Sequence, residues 1–126
     1  MAKESAHGKL VADLHKQLNR VFSGSSQGVY LYLDDHHKVC NKKFASMLGY
    51  TAKEWASIHA ILGQTVEAKS QKTLVSAYLR AVDKLAGSTI SVTWVKKKGG
   101  KVKTDVILVP IVFKGNVFAL HFVSGI

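Results

Sequence analysis

The sequence has little of three things: one cysteine, Cys40, one proline, Pro110, and only eight acidic side chains in 126 residues. A lone cysteine excludes an internal disulfide, agrees with a reducing compartment and leaves packing to hold the fold. A single proline in a chain of globular composition argues against extended disorder. No stretch approaches the roughly 18 uninterrupted apolar residues of a membrane span. The opening MAKESAHGKL has no apolar core of a signal peptide, so the expectation is a cytoplasmic protein without a membrane partner. Catalytic constellations are lacking too. The acidic residues are scattered over turns and helix starts, no nucleophile stands with a base, and no glycine-rich phosphate cradle occurs, so no enzymatic activity is expected.

What is present suits one folded domain: 47% of residues are apolar and 21% charged. Eighteen Lys and Arg against the eight acids give a formal net charge of +10. That charge brings nucleic acid and other acidic partners into consideration, although it also serves solubility alone. Lysines 96–98, 101 and 103 gather at one glycine-containing turn, which reads as a solvated hairpin tip that discourages edge pairing. Specific base recognition favours arginine, and only Arg20 and Arg80 occur, so nucleic-acid binding is the second choice.

Along the chain, Leu10, Val11, Leu14, Leu18, Val21 and Phe22 recur at helical spacing and predict one amphipathic helix over residues 10–22. A Gly/Ser-rich stretch then ends it. Residues 29–33 form a β-prone run, with a hairpin through Asp34-Asp35-His36 to a short strand at residues 38–40. Asn41 is placed to cap a two-turn helix carrying Phe44, Ala45, Met47 and Leu48, and Gly49 to stop it. Thr51 and Glu54 make a capping box, followed by Trp55. Residues 58–64 are ambiguous. Thr65 is then expected to cap the main helix, whose stripe of Leu74, Val75, Tyr78, Leu79, Val82 and Leu85 ends at Gly87. Alternation at Ile90, Val92 and Trp94, the turn at Gly99-Gly100, and strands over residues 101–113 and 117–123 predict a three-stranded meander.

Residues 106–109 and 117–123 are apolar on both faces, so each face of the sheet requires a cover. The central helices supply one. The helix at residues 10–22 is the natural second, packing within the chain or across a dimer. We therefore divide the chain into an N-terminal helix and linker, residues 1–24, and a sheet domain, residues 25–126.

With its residues, this order resembles the PAS family over nearly the whole chain. Most specific is the stretch with Asn41, Phe44 and Leu48-Gly49-Tyr50-Thr51, flanked by Gly28-Val29-Tyr30-Leu31-Tyr32 and by Lys97-Lys98-Gly99-Gly100-Lys101 leading to Val109-Pro110-Ile111. The resemblance implies an α+β fold with a five-stranded antiparallel sheet, helices on one face and an N-terminal amphipathic helix; an NTF2-like cone is the alternative. The turn Asp34-Asp35-His36-His37 departs from the family's glycine-bearing acidic turn, which leaves the register of the first two strands open. Ser124-Gly125-Ile126 replaces the family's usual Asp-Ile-Thr, with no output segment following, so output is expected to come from a partner.

As function, the resemblance implies a sensory or interaction module in signal transduction, taking a small ligand or a protein partner and dimerising through the leading helix. Leu10, Val11, Leu14, Leu18, Val21 and Phe22 are the dimer-helix candidates; Trp55, Tyr78, Trp94 and His121 are the pocket candidates. Haem is disfavoured because residues 65–87 hold no histidine. Flavin-adduct chemistry is disfavoured because Cys40 lies on a strand end beside Asn41, not on the helix before the long one. His36, His37 and Cys40 read as a solvated turn and a small buried hydrophobe in place of a metal site, so no metal is expected.

Overall fold

In this computed structural model, which describes residues 2–125, the chain forms helices α1 (Ala2–Gln17) and α2 (Asn19–Gly24), then strands β1 (Gly28–Asp34) and β2 (His37–Cys40). Four helices follow: α3 (Lys42–Leu48), α4 (Ala52–Ala56), α5 (Ile61–Thr65) and α6 (Ala68–Lys84). Strands β3 (Ser88–Val95), β4 (Lys101–Phe113) and β5 (Asn116–Gly125) complete it. All five strands join one antiparallel sheet in the order β2-β1-β5-β4-β3, which puts the first strand beside the last in the centre. The expected α+β architecture is the one observed.

The β1–β2 hairpin slips register between Tyr32 and Asp34, so that Asp34 pairs with His37. The unusual acidic turn is thus accommodated by an irregularity that re-aims the side chains beyond it. At the other end of the hairpin, Asn41 ties three elements together. Its Oδ1 accepts from Phe44 N at 2.9 Å, as the expected helix cap, and also from Val29 N at 3.0 Å. Its Nδ2 donates to the carbonyls of Phe22 (3.0 Å) and Gln27 (3.1 Å). Gly28 allows a close approach beside it, because a Cβ there would sit 3.0 Å from Phe44 Cβ and 3.1 Å from its Cα and α3 would have to give by a few tenths of an ångström. Gly49 ends α3 at φ 85°, where a residue with a Cβ is strained. Both bonds of the Thr51–Glu54 capping box are present.

One sheet face carries an aromatic core. Tyr30, Phe44, Trp55 and Trp94 are all essentially buried, with Phe44 edge-on to both tryptophans at centroid distances of 5.4 and 5.2 Å. Trp94 Nε1 donates to Thr104 Oγ1 at 2.8 Å, and that hydroxyl donates to Val92 O at 2.9 Å, so the buried pair is satisfied. Helix α6 differs from expectation at both ends. Thr65 does not cap it: Thr65 closes α5 by donating to Ile61 O at 2.6 Å, and α6 begins after Glu67, whose N donates to Thr93 O. It ends at Leu85, in the left-handed region at φ 52°, two residues before Gly87.

Its buried seam is Ser70, Leu74, Ala77 and Ala81, while Val75, Leu79 and Leu85 are exposed. The two alanines, packed against Leu108 and Ala119, are short enough to bring the helix close to β4 and β5. Close approach narrows the contact to one seam, and the larger apolar residues fall to its flanks.

The second face is covered by the leading helices. Val11 and Leu14 of α1 and Phe22 of α2 form a buried cluster with Val29, Leu31, Phe118 and Leu120 of the sheet. The expected single helix is broken at Leu18 (φ −93°, ψ 12°), although Leu18 N and Phe22 N still donate to Leu14 O and Leu18 O. The kink turns Phe22 inward and leaves Val21 exposed, so the six-residue stripe is not one continuous buried face. The cover reaches Ile111 and Phe113 but leaves Ile107 of β4 44% exposed. No described helix is long and apolar enough to cross a membrane.

Candidate functional site

Under α6, a largely apolar cavity of about 60 Å³ opens between helix and sheet. Its walls are Tyr30 and Tyr32 from β1, His121 from β5, Ile61 and Leu62 from α5, and Leu74, Val75 and Tyr78 from α6. Alternation along β1 puts both tyrosines on this face of the sheet. Tyr30 and His121 are cross-strand partners, and their rings stack at 3.8 Å with 11° between planes. Tyr32 meets Tyr78 edge-on at 5.4 Å.

His121 Nδ1 lies 3.1 Å from the Ala119 carbonyl, which only accepts, so that nitrogen carries the proton. Burial holds the imidazole down to about pKa 3, against backbone hydrogen bonds that act the other way. The ring is neutral near pH 7, and its other nitrogen is an acceptor. Burial likewise raises the Tyr30 phenol. Tyr32 is raised by burial first and then by Asp35, to which it donates at 3.0 Å. Tyr78 donates to Leu33 O at 3.3 Å. The site therefore offers neutral hydrogen-bonding groups and aromatic surface; it contains no activated nucleophile or carboxylate pair.

Of the four sequence-derived pocket candidates, Tyr78 and His121 line this cavity. Trp55 and Trp94 stand in the aromatic core beside it and are absent from its lining. Trp55 Nε1 is buried without a hydrogen-bond partner. The sequence reading missed Tyr30 and Tyr32 as wall residues, although their period-two spacing on an apolar strand was a signal for one shared face. Ile61 and Leu62 lay in the stretch without a clear pattern.

Cys40 is a buried protonated thiol, pushed up to about 12 chiefly by desolvation. Lys38 carries no sequence signal that sets it apart from the other lysines. Its ammonium is buried beneath α4 and donates to the carbonyls of Asp35, Ala56 (3.1 Å) and Ile58. It also lies 5.4 Å from the centre of the Trp55 ring. Desolvation lowers its pKa, opposed by Asp35 and Asp34. Lys38 thus clamps the α4–α5 connection to the hairpin.

At the lysine-rich turn, Lys97 pairs with Glu54 at 2.8 Å and Lys101 with Glu67 at 2.7 Å. These lysines pull both carboxyls below their ordinary values. Two of the five clustered lysines are thereby committed to the protein's own helix starts.

No family model matches the sequence, and no curated protein is similar to it. Solved structures do share its fold. A PAS domain from Colwellia psychrerythraea is 18% identical, with 90% of this chain and 97% of that one covered at a TM-score of 0.69. The PAS domain of an HTR-like protein from Haloarcula marismortui is 19% identical over 97% and 99%, at 0.64. A light-oxygen-voltage domain studied with a flavin analogue is 12% identical over 87% and 84%, at 0.63. The chain has the PAS fold.

Proposed function

We propose that this chain is a small, non-catalytic cytoplasmic module in signal transduction that takes a small ligand in the cavity beneath α6. The observation that carries this is the neutral His121 stacked on Tyr30 at the wall of an apolar cavity. Few polar groups converging on an apolar hollow are the usual makings of a ligand site. At about 60 Å³ the cavity suits a ligand of only a few non-hydrogen atoms with one hydrogen-bond donor for His121. Haem or flavin needs a space of about 300 Å³ or more, so both remain disfavoured here although a flavin-related domain shares the fold.

A ligand pressing on Tyr30 and Tyr32 bears on β1, whose opposite face supports α1 through Val29 and Leu31. The signal leaves by a shift in the packing of that helix. Dimerisation uses the exposed Val21 and Ile107 together with the half-buried Leu10 and Leu18, and the output is read by a signalling protein. At the lysine-rich turn Lys97 and Lys101 are already paired, which leaves three of the five clustered lysines for an acidic partner and keeps nucleic acid the second choice.

The test is an NMR titration of the labelled chain with methanol, formamide and imidazole. Saturable shifts at Ile61, Leu74 and His121, abolished by Leu74→Trp, support the reading. Absence of saturable shifts with all three fragments contradicts it. Sedimentation equilibrium tests the dimer: a concentration-independent monomer removes that part of the proposal.

A further inference from the structure

Away from the cavity, His7 of α1 meets Asp34 and His37 of the β1–β2 hairpin, and one ligand-capable atom from each lies within 4.8 Å of the others. His37 Nδ1 is 2.7 Å from Asp34 Oδ1, and His7 Nδ1 is 4.0 Å from Asp34 Oδ2. The two imidazoles are edge-to-face, with centroids 5.5 Å apart. The register slip brings Asp34 opposite His37, while His7 arrives from a helix 27 positions earlier in the chain. A local Asp–His pair explains His37; it does not explain the third donor.

We infer that His7, Asp34 and His37 form a binding site for a divalent transition metal such as zinc. Two imidazole nitrogens and one carboxylate are a borderline donor set suited to zinc and its neighbours, whereas magnesium and calcium prefer oxygen alone. Tetrahedral zinc with bonds of about 2.0–2.1 Å needs its ligand atoms about 3.3 Å apart. Small side-chain rotations reach that spacing from the observed separations. Asp34 Oδ1 already accepts from His36 N at 2.9 Å, which fixes the carboxylate and leaves Oδ2 turned towards His7. Three protein donors leave a fourth position for water or an outside ligand.

The consequence is mechanical: the metal joins the start of the leading helix to the hairpin, on the side of the sheet where that helix docks. Occupancy therefore holds α1 in place, independently of whether the cavity takes a ligand. A second contact, His36 Nδ1 to His59 Nδ1 at 3.2 Å, offers only two donors and serves as the control.

Calorimetric titration of the tag-free full chain with zinc chloride near neutral pH tests the inference. One zinc should bind per chain, with affinity falling at least about tenfold in His7→Ala and in His37→Ala. A His36→Ala/His59→Ala double variant should bind as the parent does. Hydrogen exchange across residues 6–17 should slow on adding zinc to the parent and not to His7→Ala. His7 is partly exposed, so its substitution leaves the fold intact, which circular dichroism verifies. No saturable binding below about 1 mM, undiminished binding by His7→Ala, or loss confined to the double variant would each overturn the site.

Discussion

Tyr30 and Leu31 are neighbours on β1, yet Tyr30 walls the cavity beneath α6 while Leu31 packs in the cluster covered by α1, and both are essentially buried. The two-residue period of the strand makes adjacent residues serve opposite faces. One strand therefore bears directly on both the candidate ligand site and the leading helix.

Asn41 holds the start of β1, the end of α2 and the start of α3 with one buried amide. Asn41→Ala removes all four hydrogen bonds and should destabilise the chain by about 2–4 kcal/mol in urea unfolding. Asn41→Asp keeps the acceptor but turns a carboxylate towards the Phe22 and Gln27 carbonyls, and should recover little.

Lys38 is a polar clamp inside an apolar setting. Lys38→Met preserves much of the side-chain volume but leaves the carbonyls of Asp35, Ala56 and Ile58 without their donor. Stability should fall by roughly 2–4 kcal/mol, with the earliest loss of exchange protection at residues 56–62. A neutral result in thermal unfolding would show that these carbonyls find water instead.

His121 sets a pH dependence. Its ordinary value is 6.5 and its folded value about 3, so between these the unfolded chain binds the proton more readily than the folded one. Stability should therefore decline as pH falls through this window, by about 3 kcal/mol from pH 6.5 to about pH 4 for this group alone. His121→Gln should flatten that part of the pH profile measured by denaturant unfolding.

The architecture was legible where local chemistry and tertiary need agree. The caps at Asn41 and Thr51, the stop at Gly49 and the alternation of β3 follow from residue type and spacing, and each forms as expected. The doubly apolar strands announced that the sheet would be covered twice, as the cluster of Val11, Leu14 and Phe22 shows. Helix α6 was misread because Ala77 and Ala81 carry little hydrophobic signal, although their small size governs its approach. Thr65 had two possible duties, capping the following helix or closing the preceding one, and burial selected the second.

The site was less legible. Histidine and tyrosine signals identify polar aromatic groups without showing which cavity they face, and Trp55 and Trp94 are equally compatible with core and pocket. The gathering of His7, Asp34 and His37 depends on how α1 lies against an irregular hairpin, which no local pattern carries.

The coupling of cavity to leading helix is most directly measured by hydrogen exchange on the full chain, with and without a fragment that NMR shows to bind at His121. Amides of residues 6–17 should be protected in the free protein, and their exchange should change when the fragment saturates the cavity. Free-peptide exchange across those residues, or protection that stays the same at full occupancy, would contradict the account.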